Sequence, residues 1–472
     1  MATPHRIIGI VFSAGGFDPL MSILPQLSAD SGSVYVVLQH MSKAQENLLG
    51  PLLARKSKMP VLSLENNCQL QANHIYIGPP GYQVAMNDYK VSLQDRETNI
   101  PQEQLFDVFL YSLAREQRDR AVAVVLSGAG NDATKGAVAI RQAGGLVLVQ
   151  DPTKAEFRSM PESVVNASAP DLILSPAKLG TLIDALAKEI DKPTTLEEGS
   201  SSYQRIVRLL YSASHVDFSR YKISTLQRRI GRRLFLNRMT DQIQSYIELL
   251  EGSEEELNAL SRDLLIGVSS FFRDSDMFGL LSDEYLPEIL SAPLEKQIRI
   301  WVAGCATGEE AYSYAIAILE HARTQGKTID FKILASDLNN HSIKFAGRGI
   351  YPESIRSEVP ADYLERYFNR VEKGYRICDK VREHLIYFQH DMTEDIPFTN
   401  IDLVSCRNVF IYFNPDIQKL VLRAFGFALR MGGLLVLSPS ESIGNNNNFF
   451  QLLNERWRIY RLQQKPRIQS PL

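Results

Sequence analysis

Short apolar runs recur through the N-terminal part of the chain, and each is followed by a stretch with the residue spacing of a helix. Four of these runs are Ile7–Val11, Val34–Val37, Ala121–Leu126 and Leu146–Val149. Continuous apolar runs are typical of parallel strands in an α/β sheet, because helices cover both faces of such a sheet. The pattern therefore predicts an α/β domain with a doubly wound parallel sheet over residues 1–187.

A polar stretch follows this predicted domain. Residues 188–202 contain Pro, Gly and three serines but no apolar periodicity, which is typical of a linker. Residues 203–290 have helical spacing with few strand signals, and strand-like and helix-like segments alternate again over residues 291–472. We therefore predict a small all-helical domain and a second α/β domain after the linker.

Composition narrows the classes of protein that fit. The chain has 472 residues, of which 44% are hydrophobic and 22% charged, and no apolar run approaches the ~18 residues that a membrane span needs. The N-terminus has no secretion signal, and the four cysteines are widely spaced, so we expect a cytoplasmic protein with neither a disulfide framework nor a metal site. A net charge of −3 gives no global attraction to nucleic acid.

Three residues with catalytic chemistry follow predicted strands. Ser13 lies in a glycine-rich turn after the first strand, whereas His40 and Asp132 follow two others. In a parallel sheet all three would meet at the carboxyl edge, where they could act as nucleophile, general base and orienting acid. The residues alone leave open the alternative of two helix caps and an ordinary strand-end histidine. Asp18 and Pro19 suit the N-cap and first position of the next helix.

The segment Thr225–Met239 predicts an amphipathic helix with one apolar and one basic face. Leu226, Ile230 and Leu234 are spaced four apart on the apolar face. The basic face is a double stripe of Arg228, Arg229, Arg232 and Arg233. Such a stripe is either a solvated helix face or a surface for an acidic partner, which can be an acidic helical protein or a nucleic acid.

A nucleotide-type strand, loop and helix begins at Arg299. The loop Gly304–Glu310 lacks the G-x-G-x-x-G spacing. Its acids, Glu309 and Glu310, would repel a pyrophosphate, whereas S-adenosylmethionine has no phosphate and carries a sulfonium and an ammonium cation. Asp337 ends the next strand, where it could accept hydrogen bonds from ribose hydroxyls. The loop favours a methyl donor over NAD, although acids are also ordinary in the first turn of a helix.

The motifs of the N-terminal domain together resemble the catalytic domain of the chemotaxis receptor methylesterase CheB. In order, they are Ser13–Gly16, Gln39–Met41, Tyr76–Gly81, Leu126–Asp132 and Gln150–Pro161. The resemblance implies that Ser13, His40 and Asp132 are the triad of a serine hydrolase. It also implies hydrolysis of glutamate methyl esters on chemoreceptors, with glutamine deamidation in some members of the family.

The motifs of residues 203–460 resemble the chemotaxis receptor methyltransferase CheR. They are Asp217–Lys222, Arg228–Arg233, Val268–Arg273, Trp301–Ser313, Ala335–Asp337, Gly349–Tyr351 and Cys406–Phe413. The resemblance implies S-adenosylmethionine-dependent methylation of glutamates on receptor helices. It also implies a Rossmann-like class I methyltransferase domain over residues 291–472, with a small inserted β-subdomain at about residues 351–383.

The resemblance assigns roles to individual residues of this half. The implied cofactor contacts are Ser269, Arg273, Glu309 or Glu310, Asp337, Asp391, Met392, Arg407 and Asn408. Tyr412 is implied to lie beside the transferred methyl group, and Arg407 or the basic stripe to hold the acceptor carboxylate. Two alternatives stay open: a receptor-binding scaffold with a degenerate esterase domain, and a nucleic-acid methyltransferase that uses the basic stripe.

Overall fold

The computed structural model describes residues 4–40, 49–87, 90–95, 105–168, 170–188, 196–239, 242–265, 267, 269–291, 297–351, 355–356, 358–372, 374–444 and 449–466. The chain divides into two compact units. The first comprises Met1–Thr195 with Arg228–Asp241, and the second comprises Leu196–Gln227 with Gln242–Leu472. No helix within the described ranges is both long and apolar enough to cross a membrane.

The first unit is built on a seven-stranded parallel sheet in the order β3-β4-β2-β1-β7-β8-β9. Its strands are β1 (Ile7–Phe12), β2 (Val34–Gln39), β3 (Val61–Ser63), β4 (His74–Ile77), β7 (Val122–Val125), β8 (Leu146–Gln150) and β9 (Leu172–Leu174). A separate antiparallel hairpin joins β5 (Tyr82–Asn87) to β6 (Lys90–Asp95). The four apolar runs of the sequence all form strands of the parallel sheet.

Helices cover both faces of this sheet. They are α1 (Phe17–Ile23), α2 (Leu49–Ala54), α3 (Leu105–Gln117), α4 (Thr134–Gln142), α5 (Ser159–Ser168) and α6 (Pro176–Lys188). Ile8 and Ile10 of β1 pack with α1, α2 and α6, whereas Ile7 and Val11 pack with α3, α4 and α5. This alternation along a strand confirms the predicted doubly wound domain, because successive side chains point to opposite faces.

Helix α1 begins earlier than the sequence predicted. Gly16, not Asp18, is its N-cap residue. A Cβ atom on Gly16 would lie 2.5 Å from the Cβ of Phe12 and 2.8 Å from the carbonyl oxygen of Ser127. The prediction from Asp18 and Pro19 is therefore wrong: the helix starts two residues closer to Ser13, without a side-chain cap, at a position where the neighbours leave no room for a Cβ atom.

A helical segment follows residue 200, as predicted. It comprises α7 (Ser201–Ser214), α8 (Ile223–Leu236), α9 (Ile243–Gly252), α10 (Glu254–Leu264), α11 (Ser275–Leu280) and α12 (Leu286–Leu290). The apolar face predicted for α8 is confirmed, since Leu226, Ile230 and Leu234 are buried. Residues 189–195, which make up half of the predicted linker, lie outside the described part of the chain, and the predicted domain boundaries stay predictions.

The second sheet also has seven strands, in the order β15-β11-β10-β16-β17-β19-β18. They are β10 (Ile298–Ala303), β11 (Phe331–Asp337), β15 (Leu385–Gln389), β16 (Ile401–Ser405), β17 (Leu429–Val436), β18 (Phe450–Asn454) and β19 (Ile459–Leu462). The strands from β15 to β17 are parallel, and β19 and β18 are added antiparallel. The helices among them are α13 (Glu309–Thr324), α14 (Asn340–Arg348) and α17 (Pro415–Ala428).

A small antiparallel sheet is inserted between β11 and β15. Its strands pair in the order β12-β14-β13, with β12 at Ile350–Tyr351, β13 at Phe368–Val371 and β14 at Gly374–Ile377. Two short helices, α15 (Ala361–Tyr367) and α16 (Asp379–Arg382), flank these strands. The predicted inserted β-subdomain is thus present in the second unit.

Candidate active sites

The carboxyl edge of the first sheet brings together the three residues singled out in the N-terminal domain. Phe12 of β1 pairs in register with Gln39 of β2, so Ser13 and His40 follow opposite positions on adjacent strands. The segment after β7, on the other side of β1, carries Asp132. Since neighbouring strands lie ~4.8 Å apart, this order places a hydroxyl, an imidazole and a carboxylate side by side.

Asp132 is bound tightly to His40 and to nearby backbone. Its Oδ2 lies 2.8 Å from Nε2 of His40, and its carboxylate also accepts the N–H groups of Phe106, Asp107 and Ala133. The Asp132 side chain is 2% exposed, whereas that of His40 is 24% exposed. Because the Asp132 carboxylate accepts a hydrogen bond at Nε2, it favours the His40 tautomer whose proton is on Nε2. In this tautomer Nδ1 is the nitrogen able to take a proton from Ser13.

The turn around Ser13 leaves few donors for an oxyanion. The Ser13 N–H donates to the carbonyl of Ser127, and the Gly16 N–H donates to the carbonyl of Ser13. The N–H groups of Ala14 and Gly15 make no hydrogen bond with the described residues, so they are the donors of this turn that could meet an oxyanion. The Ser13 hydroxyl likewise has no partner within the described ranges, as is common before substrate binds.

A second acid, Asp107, lies beside Asp132. Burial and the nearby Asp132 charge raise the pKa of Asp107 to about 7. Its carboxylate accepts the N–H of Gly136 at 2.7 Å. Because the folded pKa lies above the unfolded value, the folded state binds the proton more tightly, and stability is lost as pH rises between the two values.

Replacing Asp107 with Asn is expected to stabilise the first unit increasingly between about pH 4 and pH 7, with no further change above. A shift of about three pKa units corresponds to up to ~4 kcal/mol at the upper plateau. Calorimetric unfolding of both proteins across this pH range measures the difference, with exposed Asp119→Asn as control. A difference between the two proteins that does not depend on pH would contradict the assignment.

The basic stripe of α8 is less exposed than predicted. Arg229 and Arg232 are 2% and 7% exposed; Arg229 donates to the carbonyl of Arg141, and Arg232 pairs with Asp171. All of these residues belong to the first unit. The other two arginines of the stripe, Arg228 and Arg233, are half-buried. The prediction of an exposed double stripe is therefore wrong for Arg229 and Arg232, whose charges are buried with partners. A contact between substrate and any of the four arginines stays a prediction.

Three loops meet at the carboxyl edge of the second sheet. Ala303 of β10 pairs with Ser336 of β11, and Val302 pairs with Ser405 of β16. The loop that begins at Gly304, the acid Asp337 and the segment Arg407–Phe413 therefore start side by side. This is the edge at which open α/β sheets bind their ligands.

Asp337 ties two of these loops together. Its Oδ2 accepts the Ala306 N–H at 2.9 Å, and its Oδ1 accepts the Asn339 N–H at 2.8 Å. Burial raises the pKa of this carboxyl group. Ala306 has a positive φ angle, which is uncommon for a residue with a side chain, and the hydrogen bond to Asp337 helps to hold this conformation. Each carboxylate oxygen still has a lone pair that can accept a hydrogen bond from a ribose hydroxyl.

The paired acids have different environments. The Thr307 hydroxyl lies 2.8 Å from both oxygens of Glu309, and burial raises the pKa of Glu309 to about 7. Glu310 instead accepts hydrogen bonds from Ser405 and from Arg407, at 2.6 and 3.1 Å. Both acids are buried at the start of α13, so neither is an ordinary solvated acid of a first helical turn.

Arg407 is enclosed by protein groups. Besides Glu310, its guanidinium donates to Asp274 at 2.5 Å and to the carbonyl of Arg273 at 3.2 Å. Its side chain is 1% exposed. These contacts join the end of β16 to the loop before α11. Arg407 is thus placed to hold two acids and a loop, and its predicted contacts with cofactor and substrate stay predictions.

Replacing Arg407 with Met is expected to lower the free energy of unfolding by about 3–5 kcal/mol, because it leaves buried Glu310 without its cation. Adding Glu310→Gln should recover part of this loss, since the uncompensated charge is then removed. Denaturant unfolding of the wild type, the single variant and the double variant measures both effects. Equal stability of the single and double variants would show that the ion pair does not carry the loss.

The remaining predicted residues lie in loops of the second unit, except Tyr412, which ends the short 3-10 helix Phe410–Tyr412. Asp391 accepts hydrogen bonds from the N–H and hydroxyl of Thr393, and the Asn408 N–H donates to buried Glu441. The carbonyl of Tyr412 accepts the Lys222 N–H. Met392 is buried, whereas Ser269 and Arg273 are half-buried. The structure describes all of these positions, and their cofactor and catalytic roles stay predictions.

Tyr221 is a residue of this site that the sequence analysis did not assign. Burial raises its pKa, and the nearby Asp391, Asp337 and Tyr412 add to the shift. Tyr221 also forms an isolated β-bridge with Phe413, with ring centroids 5.5 Å apart, which places it beside the segment that ends in the predicted catalytic tyrosine. The available signal was its place in the motif Asp217–Lys222, which carries the resemblance without showing which of its residues face the site.

Comparison with known proteins assigns the C-terminal part of the chain to one family. Residues 201–265 match the model of the CheR methyltransferase all-alpha domain, and residues 267–459 match that of the CheR methyltransferase SAM binding domain. A chemotaxis protein methyltransferase of Listeria monocytogenes is 30% identical over 260 residues, which are 53% of this chain and 96% of that protein. The chain belongs to the CheR methyltransferase family. The cofactor of its SAM binding domain is S-adenosylmethionine.

The N-terminal half carries a second family domain. Residues 8–183 match the CheB methylesterase model. The chain is similar to the crystal structure of the Thermotoga maritima CheB methylesterase catalytic domain, with 27% identity, a TM-score of 0.36, and coverage of 40% of this chain and 99% of that one. By the family models, the chain joins a CheB domain, which contains Ser13, His40 and Asp132, to a CheR methyltransferase.

A longer relative is similar to most of the chain. An uncharacterized 104.1 kDa protein of Rhodobacter capsulatus is 34% identical over 439 residues, which cover 87% of this chain and 46% of that protein. The chain thus spans about half the length of this relative.

Within the described residues, no group of three or more histidine, cysteine or acidic side chains could hold a metal ion.

Proposed function

We propose that the chain is a bifunctional enzyme that adds methyl groups to glutamate side chains of methyl-accepting chemotaxis-type receptors and also removes them. The observation that carries this proposal is the presence of two strand-edge sites on one chain. The first contains Ser13, His40 and Asp132, and the second contains the acid-lined loop at Gly304 with Asp337. A cytoplasmic location fits the four cysteines, all of which are free thiols.

The second site suits a cationic cofactor. Glu309 and Glu310 lie at the start of α13, where they disfavour a phosphate, and Asp337 offers acceptors for ribose hydroxyls. When bound, S-adenosylmethionine supplies a methyl group on a sulfonium. The acceptor glutamate is already ionised at neutral pH, since its ordinary pKa is ~4.3, so the protein needs no strong general base. Tyr412 and the loops around it would align the carboxylate and exclude water.

The first site has the groups that ester hydrolysis needs. Nδ1 of His40 would take the proton from Ser13 as the serine oxygen attacks the ester carbonyl, and Asp132 would stabilise the imidazolium. The N–H groups of Ala14 and Gly15 would stabilise the oxyanion. Methanol leaves with the proton from His40, and water then hydrolyses the acyl-enzyme to the glutamate carboxylate. Deamidation of a receptor glutamine would use the same steps with ammonia as the leaving group.

The alternative function is a receptor-binding scaffold whose esterase domain is degenerate. The hydrogen bond between His40 and Asp132 favours a working esterase, because a degenerate site has no need of a buried carboxylate held by three N–H groups. A serine-hydrolase probe distinguishes the two functions: covalent labelling of Ser13 supports the esterase, whereas an unlabelled Ser13 in a folded protein favours the scaffold.

Methyl transfer is tested with the purified chain, S-adenosylmethionine labelled in its methyl group, and the cytoplasmic helices of a chemoreceptor. The proposal predicts base-labile label on receptor glutamates, located by mass spectrometry of peptides. Nucleic acid, supplied in parallel, should stay unlabelled. Label in nucleic acid and none in receptor would replace the proposal with a nucleic-acid methyltransferase.

A further inference from the structure

The first turn of helix α3 lies directly against the His40–Asp132 pair. The ring of Phe106 stacks on the His40 imidazole, with ring centroids 4.1 Å apart and an angle of 12° between the planes. Phe106 is fully buried in the core of the first unit. His40, by contrast, is partly exposed, so the aromatic ring provides a fixed apolar wall on one face of an otherwise accessible imidazole.

The backbone of the same turn holds the other member of the pair. The Phe106 N–H donates to Oδ2 of Asp132 and the Asp107 N–H donates to Oδ1, both at 3.0 Å. In return, the Asp107 carboxylate accepts the N–H of Gly136 in the first turn of α4, the helix that follows Asp132. Asp132, which precedes α4, therefore caps the first turn of α3, and Asp107 of α3 caps the first turn of α4, which fixes Asp132 relative to α3.

The hydrogen bonds of Asp132 do not restrict rotation of the His40 imidazole about its bond to Asp132. A single hydrogen bond between Nε2 and Asp132 fixes one ring nitrogen, but it does not by itself stop the imidazole from turning about that bond. A ring stacked nearly parallel to the imidazole does oppose this turning, because the turn would break the aromatic contact and press one ring into the other. The direction of Nδ1, which must meet Ser13, depends on this plane.

We propose that Phe106 is a positioning residue of the esterase site, which holds the His40 imidazole in the plane that directs Nε2 to Asp132 and Nδ1 to Ser13. The role rests on the proposed esterase function, but the geometry it describes is a property of the folded first unit. Phe106 touches His40 and acts through it, so its removal should affect turnover more than substrate binding.

The test compares Phe106→Leu with Phe109→Leu in the full chain. Phe109 is a matched control, because it lies one turn further along α3 and is equally buried in the same core. The expected result is a kcat for methyl-ester hydrolysis about 10- to 100-fold lower in Phe106→Leu, with KM little changed, since misplaced catalytic groups cost rates of this order. Phe109→Leu should keep a kcat close to that of the wild type. Equal losses of kcat in the two variants would overturn the proposal.

NMR relaxation of the His40 ring gives a second readout that needs no activity. In the wild type and Phe109→Leu the His40 ring should keep one rigid orientation, whereas in Phe106→Leu the ring should turn about its Nε2 hydrogen bond and become less ordered. An equally ordered His40 ring in folded Phe106→Leu would overturn the proposal. If Phe106→Leu does not fold, Phe106→Met, which keeps more volume, takes its place. A wild type that hydrolyses no ester, with a His40 ring that becomes less ordered in Phe106→Leu but not in Phe109→Leu, would contradict the proposed function and leave the positioning role supported.

Discussion

Ser13→Ala is expected to abolish ester hydrolysis while leaving methyl transfer intact. The rate should fall on the order of 10⁴-fold or more, because removal of a triad nucleophile leaves only binding and oxyanion stabilisation. The Ser13 N–H and carbonyl, which donate to Ser127 and accept from Gly16, are unaffected by the change, so the turn should keep its shape. The loops at Gly304, Asp337 and Arg407, which form the proposed cofactor site, belong to the second unit, so the rate of methyl transfer should not change.

The measurement is release of methanol from a methylated receptor fragment, with Ser22→Ala as the control. Ser22 lies on the neighbouring helix α1, where its hydroxyl donates to the carbonyl of Pro19. This variant should hydrolyse esters at the wild-type rate. Methanol release by Ser13→Ala at more than a few per cent of the wild-type rate would show that another residue is the nucleophile.

Asp337→Asn is expected to weaken S-adenosylmethionine binding by about 100-fold or more. The carboxylate accepts N–H groups on both oxygens, and an amide would turn its NH₂ group toward one of these donors. Hydrogen bonds to charged groups contribute about 1.5–3 kcal/mol each, and a donor that faces a donor adds a desolvation cost. The loop at Ala306 and the proposed acceptor for the ribose hydroxyls would both be lost.

Titration calorimetry of the cofactor, or of its demethylated product, measures this effect. Asp330→Asn is the matched control, since Asp330 directly precedes the same strand at its other end and is paired with exposed Gln297. The control should bind with wild-type affinity. Unchanged affinity in a folded Asp337→Asn would exclude Asp337 from the cofactor site and leave it a role in the loop alone.

The strands at the centre of each sheet could be predicted from the sequence. Apolar runs such as Val34–Val37 identify buried parallel strands, and the carboxyl edge of such a sheet is where the residues that follow the strands must meet. This argument brought Ser13, His40 and Asp132 to one edge, and the structure places them there. It required only the rule that parallel strands end at one edge of the sheet, whereas the strand order and the register that make the three residues neighbours come from the structure.

Features that depend on packing between distant segments were not readable in this way. A four-residue spacing of arginines gives the face of a helix but not what covers it, so the burial of Arg229 and Arg232 was missed. The acids around Arg407 come from a helix start and a separate loop, and no local pattern relates them. The role of Phe106 was not readable from the sequence for the same reason. Its spacing on α3 is that of a core residue, and only the fold shows that its ring stacks on His40.

The central claim is that one chain both forms and hydrolyses the same glutamate methyl ester. It is tested most directly by incubating wild-type protein and Ser13→Ala with a receptor fragment and methyl-labelled S-adenosylmethionine, and following protein ester and methanol in the same sample. The account predicts labelled ester in both proteins, more of it in Ser13→Ala, and labelled methanol from the wild type alone. No protein ester from either protein, although both bind the cofactor, would contradict it.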